Sequence, residues 1–419
     1  MTENASVIDK LKNKYFLLVV ALVSIAYMAF AASKQKDFYI FMLAAKDLFA
    51  GKDIYTLKYV DGYHFFYSVL FACFVYLLSF IPFYFAKLVW LLLNLYLLTR
   101  VVKIVAGYFN IGMLTVKEQW VFLGLCAVSC FKLVIQNFDC QQVTILILYL
   151  TLQGLESIWK GNKVWGALLI GLAINFKLLP LLLIPYLIYR REFKANLFIF
   201  IFYALFLELP ALFIGTAQNN FLLASWWNIV NPTNPQHVLD TDEGGFNSLT
   251  TWLATLLVYQ PPQHGEPNMA RNIADISITQ LSYVINAVRL LFLAFSLYFL
   301  RTIPFVKNVS KQHRFWEVSY FLLITPLLFP HQQFYSFLFA APALCYIYYH
   351  FIRHYTGMSK PRYNLTIVAF ALSFLLCNLS FLLGEYNIYY AYFKTLTYGV
   401  LLIVPLLAVS VPDKEMVTT

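Results

Sequence analysis

The stretch YFLLVVALVSIAYMAFAASKQKDFY, residues 15–39, decides how the rest of the chain is read. Its first part, Tyr15 to Ala32, is an apolar run long enough to cross a bilayer core, which takes roughly 20 residues of helix. Its second part, Ser33-Lys34-Gln35-Lys36-Asp37-Phe38-Tyr39, is where that segment meets water. An acid at such a boundary reaches groups carried by lipids as well as groups in water. Lys10, Lys12 and Lys14 precede the run, and Ala29-Phe30-Ala31 within it resembles a signal-peptide cleavage site. The length of the run favours a retained signal anchor.

Composition extends this reading to the whole chain. Of 419 residues, 61% are apolar and 12% charged, where a soluble domain carries about a quarter charged residues. The expected fold is all-α: a polytopic membrane protein whose residues 1–419 form one integral membrane domain. A net charge of +10 would suggest nucleic acid in a soluble protein. Here the excess of Lys and Arg is read as topology, because basic residues collect on the cytoplasmic side. Nucleic acid is therefore not an expected partner. The six cysteines, Cys73, Cys126, Cys130, Cys140, Cys345 and Cys377, show no metal-ligand spacing and read as small buried apolar residues.

Apolar runs between charges place spans near 15–33, 83–103, 118–136, 141–159, 163–177, 178–190, 194–214, 281–301, 315–330, 333–350, 364–383 and 388–410, about twelve in all. The pair around Lys177 and Pro180 is short, which predicts tilted or broken helices in a tight hairpin. Basic clusters, among them Arg100/Lys103/Lys117, Arg190/Arg191/Lys194 and Arg301/Lys307/Lys311/Arg314, fall on alternate loops and set the orientation. Two long segments, 34–82 and 215–280, then lie on the outer face, with Phe65–Ile81 a re-entrant or juxtamembrane helix. Long loops in a compact protein are usually functional.

The polar groups nearest the membrane also gather on that side. Phe38, Phe41, Met42, Ala45, Leu48 and Phe49 recur at helical spacing, so residues 38–50 are expected to form an amphipathic helix on the bilayer surface, ended by Gly51. Asp37 precedes it and reads as its N-cap, a role compatible with catalysis because an acid at a helix N-terminus stays ionised. Lys177, between Asn175-Phe176 and Leu178-Leu179-Pro180, needs an anion. Asp139 and a substrate phosphate are the two candidates. His331 stands between Pro330 and Gln332 at the end of a span, and Glu208 is a further intramembrane acid. Neither a Gly-rich nucleotide loop nor a clustered His/Cys pattern is present.

The order of these features resembles a known family. Asp37-Phe38-Tyr39, Ala44-Ala45, Gly51-Lys52-Asp53-Ile54-Tyr55, Trp90 to Asn94, Asn137 with Gln142-Val143, and Lys177 with Pro180 and Arg190-Arg191 follow one another here. This order is similar to that of the polyprenol-phosphate-mannose-dependent mannosyltransferases of glycosyltransferase family 87. Asn247-Ser248-Leu249 and Thr325-Pro326 to His331 continue the pattern. The resemblance runs from about Lys36 to about Pro342. It departs at Tyr67-Ser68-Val69-Leu70, where the family usually has Tyr-Pro-Pro-Leu, and at Phe329-Pro330, where it often shows Ser-Trp.

The resemblance implies a GT-C fold with a catalytic acid in the first outer loop. It also implies a polyprenyl-phosphate sugar donor, with mannose the expected sugar, and a glycolipid or glycan acceptor at the outer leaflet of a bacterial inner membrane. Asp37 would be the base of a single inverting displacement, with His331 a second catalytic candidate. Lys177 first, and then Arg271, would hold the departing phosphate. Asn137, Asp139, Gln142 and Asn247 would line the substrates. No cofactor is required on this reading, though a divalent ion held by Asp37 and Asp139 stays open. The alternative is a non-enzymatic lipid or solute transporter, for which Glu208 speaks. A lipid-diphosphate polymerase is a third reading, whose outer loop would have to rely on Arg271, His237 and His264.

Overall fold

The computed structural model describes residues 13–231, 234, 239, 245–262, 265–300 and 310–412. Lys10, Lys12, His237, His264, Arg301 and Lys307 lie outside these residues. The described chain is helical, with one isolated antiparallel bridge, Phe246 to Gln333. It divides into two compact units, residues 1–177 with 201–223, and residues 178–200 with 224–419.

Among the described residues six helices are long and apolar enough to cross a membrane, or up to seven if the bent pair Gly384–Tyr392 and Thr395–Val409 counts as one span. The expected twelve is not reached, for two reasons. The segments expected at 141–159, 163–177 and 178–190 become helices of 16, 14 and 7 residues, which at 1.5 Å per residue fall short of a core about 30 Å thick. Those expected at 315–330 and 364–383 become Lys311–Leu328 and Lys360–Asn378, whose charged and polar starts dilute their apolar character.

The first unit begins with α1 (Lys14–Ser33), capped by the Asn13 side chain, which accepts from the Tyr15 amide at 2.9 Å. α2 (Asp37–Phe49) follows and is not the surface helix its spacing suggests. Phe38, Ile40, Phe41, Met42, Ala44, Ala45 and Leu48 are all buried, because Ile40 and Ala44 widen the apolar stripe beyond the narrow face a surface helix shows. Phe38 packs on Trp90, ring centroids 5.7 Å apart, and Phe41 meets Tyr67 edge-on at 4.9 Å. Gly51, at φ +78°, turns the chain out of the helix as expected.

Ser68 caps α3 (Val69–Tyr76) by accepting from the Phe71 amide at 3.1 Å. With the 3-10 turn Leu77–Phe80 it makes a short apolar helix over 69–80, about 18 Å long and too short for a straight crossing. The departure from Tyr-Pro-Pro-Leu therefore falls at a helix start, where proline is also well accommodated.

α4 (Phe83–Ala106) and α5 (Val116–Asp139) are full-length spans, the second opened by a Thr115/Glu118 capping box. α6 (Thr144–Trp159) and α7 (Lys163–Phe176) form a close hairpin turned by Gly161 at φ +92°. A Cβ on Gly166 would come within 2.5 Å of the Gly154 carbonyl, so only glycine permits this approach.

The second unit takes up the chain at Leu178. A 3-10 turn, Leu179–Leu182, leads into α8 (Leu183–Tyr189). α9 (Phe193–Glu208) begins in this unit and ends in the first, followed there by α10 (Ala211–Ile214) and most of α11 (Thr216–Val230). α12 (Leu249–Leu257) and α13 (Ile278–Leu300) share a small core of Leu253, Ala254, Val258, Leu281 and Ile285. α14 (Lys311–Leu328), α15 (Ala341–His354), α16 (Lys360–Asn378), α17 (Asn387–Tyr392) and α18 (Thr395–Val409) complete it.

At the base of α14 the fully buried Glu317 accepts from Arg190 Nε at 2.9 Å and from the Tyr186 hydroxyl at 3.1 Å. Arg190 Nη2 also meets its second oxygen, and His313 Nε2 lies 3.1 Å from that atom. This cluster ties the end of α8 to α14.

Candidate active site

Asp37 is not an N-cap. Lys36, in extended conformation at φ −140°, occupies the cap, and Asp37 is the first helical residue. Its carboxylate instead points to the turn after α5, where Gln142 Nε2 donates to Oδ2. Three features of that turn hold the contact. The Gln142 amide donates to the Asn137 carbonyl at 2.8 Å, closing the end of α5. Gln141 takes the left-handed conformation at φ +57°, which costs a non-glycine residue on the order of 1 kcal/mol. It is retained there by work a glycine could not do: Gln141 Nε2 donates to the Ala31 carbonyl at 2.8 Å and to the Lys34 carbonyl at 3.2 Å. One glutamine thus fixes the segment leading into Asp37, and the next touches its carboxylate. Trp90 Nε1 donates to the Gln141 carbonyl at 2.9 Å from α4.

Tyr67 supports the other side. Its hydroxyl donates to Gln142 Oε1 at 2.8 Å, and its own carbonyl accepts from the Tyr55 hydroxyl at 2.9 Å. Lys177 follows α7 in extended conformation, φ −153°, with its ammonium 5.7 Å from the centroid of the Tyr67 ring. The break after Phe176 fits Pro180, which has no N–H to give the carbonyl four residues back and whose ring crowds that carbonyl, the one of Phe176. Nearby, Ser68 Oγ donates to Asn175 Oδ1 at 2.9 Å.

Burial pushes the Asp37 carboxyl up to about 6, against the pull of Lys36, the Gln142 amide and the Lys177 ammonium. The residue keeps partial exposure, so the carboxylate is half withdrawn from water and still reachable. Lys177, also partly exposed, is thus electrostatically coupled to the acid. Asp139 is not its partner, because Asp139 accepts from Tyr27 at 2.8 Å and from Lys34 at 3.2 Å. Asn137 is buried, and its Nδ2 donates to the Leu133 carbonyl one turn back at 2.8 Å.

The first unit also holds an apolar cavity of about 530 Å³. Leu70, Phe74, Leu150, Leu172, Phe176 and Phe213 are among its lining residues, and Phe176 is the immediate neighbour of Lys177.

His331, Asn247 and Arg271 lie in the second unit. His331 is left-handed at φ +57°, with its ring against Phe246 at 5.3 Å. The amide of Asn247 donates to the Gln332 carbonyl at 2.8 Å, which brings Asn247 and His331 together. Arg271 donates to the Tyr392 carbonyl at 3.0 Å and to Gln260 Oε1 at 3.1 Å, and stacks 4.2 Å over the Tyr392 ring. Glu208, on which the transporter alternative leaned, is exposed at the last residue of α9.

Two residues escaped the sequence reading. Tyr67 stood there only as the first residue of a stretch that departs from a motif after it. Lys394, 3% exposed and at φ +53° between α17 and α18, feels both Arg271 and Glu266. Its signal was available, a lone lysine in an apolar run, as with Lys177.

Comparison with known proteins adds one finding. Neither the curated proteins nor the solved structures give a match. Residues 65–326, more than half of the chain, match glycosyltransferase family 87. The matched segment holds Tyr67, Gln142 and Lys177 but begins after Asp37, whose place in the site rests on the geometry above. With the membrane-crossing helices, this match establishes that the chain belongs to glycosyltransferase family 87.

Proposed function

We propose that this glycosyltransferase moves a sugar, with mannose the first expectation, from a polyprenyl-phosphate donor to a hydroxyl of a glycolipid or glycan at the outer leaflet. The observation that carries the reading is the grouping in the first unit of a half-withdrawn acid, a coupled cation and an apolar cavity beside that cation. An acceptor hydroxyl has a pKa far above about 6, so Asp37 takes its proton only as the new bond to the anomeric carbon forms. The bond from that carbon to the phosphate oxygen breaks on the opposite face, and the configuration inverts. A phosphate leaves without being protonated, so one carboxylate serves where hydrolysis of an unactivated glycoside uses two. The charge gathering on the phosphate is met by Lys177. The almost entirely apolar cavity walls suit an isoprenoid chain whose head group lies at Lys177.

Purified protein incubated with polyprenyl-phosphate mannose and a lipid extract of its host should yield a hexose-shifted product by mass spectrometry. Absence of any such product with every polyprenyl-phosphate sugar tried would overturn the proposal. Lys177→Ala should raise the apparent KM for donor about ten- to a hundredfold, the worth of a charge-assisted contact, and lower turnover too. An unchanged donor KM would remove Lys177 from the phosphate.

A further inference from the structure

We infer that Tyr67 is the positioning residue that holds the base and the phosphate-binding cation in one geometry, its hydroxyl orienting Gln142 toward Asp37 and its ring face carrying the Lys177 ammonium. The inference rests on the reading of Asp37 and Lys177 proposed above.

The side chain is fixed before it does either job. Tyr67 is 5% exposed, and its ring is held by Phe41 at 4.9 Å, Phe71 at 4.9 Å and Phe65 at 5.7 Å. The Tyr55 hydroxyl bonds its carbonyl. From that fixed position the hydroxyl reaches Gln142 Oε1 at 2.8 Å. A carboxamide has a donor end and an acceptor end of nearly the same shape, so its orientation is set by what it meets. With the tyrosine hydroxyl donating to Oε1, the NH2 group is the end presented to Asp37.

An amide N–H favours the carboxylate over the carboxylic acid, whereas an amide oxygen in its place would favour the acid. Tyr67 therefore acts on the ionisation of a base it does not touch. The other groups acting on Asp37 are Lys36 at its own flank and Lys177 after α7, and Cys140 at the end of α5 feels the carboxylate in turn. The ring face does the second job, since an ammonium 5.7 Å from its centroid is within cation–π range.

Two substitutions separate the two jobs. Tyr67→Phe keeps the ring and removes the hydroxyl, and Tyr67→Leu removes both. Each variant, in nanodiscs, is assayed for the pH dependence of kcat/KM and for binding of undecaprenyl phosphate without sugar. In Tyr67→Phe the acid limb should move up by about half to one pH unit, with lipid-phosphate affinity held within about twofold of wild type. Tyr67→Leu should show the same movement and bind the lipid phosphate about three- to tenfold more weakly. An unmoved acid limb in Tyr67→Phe overturns the inference, as does a loss of lipid-phosphate affinity in Tyr67→Phe equal to that in Tyr67→Leu.

A wild-type protein that binds undecaprenyl phosphate yet transfers no sugar would sink the functional reading alone. The relay would then be tested by infrared titration of the carboxyl band, assigned by its loss in Asp37→Asn. That band should titrate at higher pH in Tyr67→Phe, and coincident titrations overturn the inference.

Discussion

Asp37→Asn is expected to lower sugar transfer about a hundred- to ten-thousandfold, the usual worth of a positioned general base, while the protein still folds and binds donor. The amide oxygen of asparagine can still accept from Gln142, so the substitution removes the base and keeps the contact. Transfer within about threefold of wild type would remove Asp37 from that role. Because burial raises the Asp37 carboxyl to about 6, wild-type activity should fall on the acid side of pH 6 as the base becomes protonated.

The same shift bears on stability, with a definite sign. A carboxyl whose folded pKa lies above its ordinary value of 3.8 contributes stability that is fully present below that value and lost as pH rises through about 6. Asparagine carries no such dependence. Melting curves in detergent should therefore favour Asp37→Asn over wild type more at pH 8 than at pH 4. A difference in Tm that shrinks from pH 4 to pH 8 would contradict the burial argument.

Glu317→Ala is expected to destabilise the protein by about 3–5 kcal/mol, because it takes the carboxylate away from the buried Arg190 guanidinium. Arg190 is 3% exposed and Glu317 0%, so water cannot replace the lost partner. The Tyr186 hydroxyl loses its acceptor as well. Replacing both charges, in Arg190→Met with Glu317→Leu, should recover most of the loss, since the desolvation of each ion disappears with it. Thermal unfolding in detergent reads both variants. A single variant as stable as wild type would mean that the pair is open to solvent. A double variant no better than the single one would mean that packing, not charge, is what Glu317 supplies.

Much of the membrane fold was legible because its signal is one-dimensional. An apolar run of span length has few alternatives in a bilayer, so α1, α4, α5, α9 and α13 stood out directly. Short helices were harder to interpret. α6 and α7 are apolar enough to count as spans in sequence, but how the chain uses 16 and 14 residues depends on what they pack against. The Gly154 and Gly166 contact that joins them carries no mark beyond two glycines twelve residues apart in the chain. α2 went the other way, since its spacing predicted a surface helix and its neighbours buried it. Phe38 and Phe41 found aromatic partners from 65 to 90 that no local pattern discloses.

The sequence by itself determined the class of molecule, the presence of an acid and a lysine at the ends of apolar segments, and the family these features resemble. Composition and order suffice for that, because hydrocarbon tolerates so few charges that each one it retains stands out. Only the tertiary structure decided what Asp37 touches. Its partner Gln142 lies 105 positions along the chain, and the hydroxyl that orients Gln142 lies 75 positions from it. Side-chain hydrogen bonds of that span depend on packed helices bringing distant turns within 3 Å, and no periodicity records them. Asp37 thus passed from helix cap to an acid bonded by a glutamine that a tyrosine hydroxyl meets in turn, contacts visible only once the chain is folded.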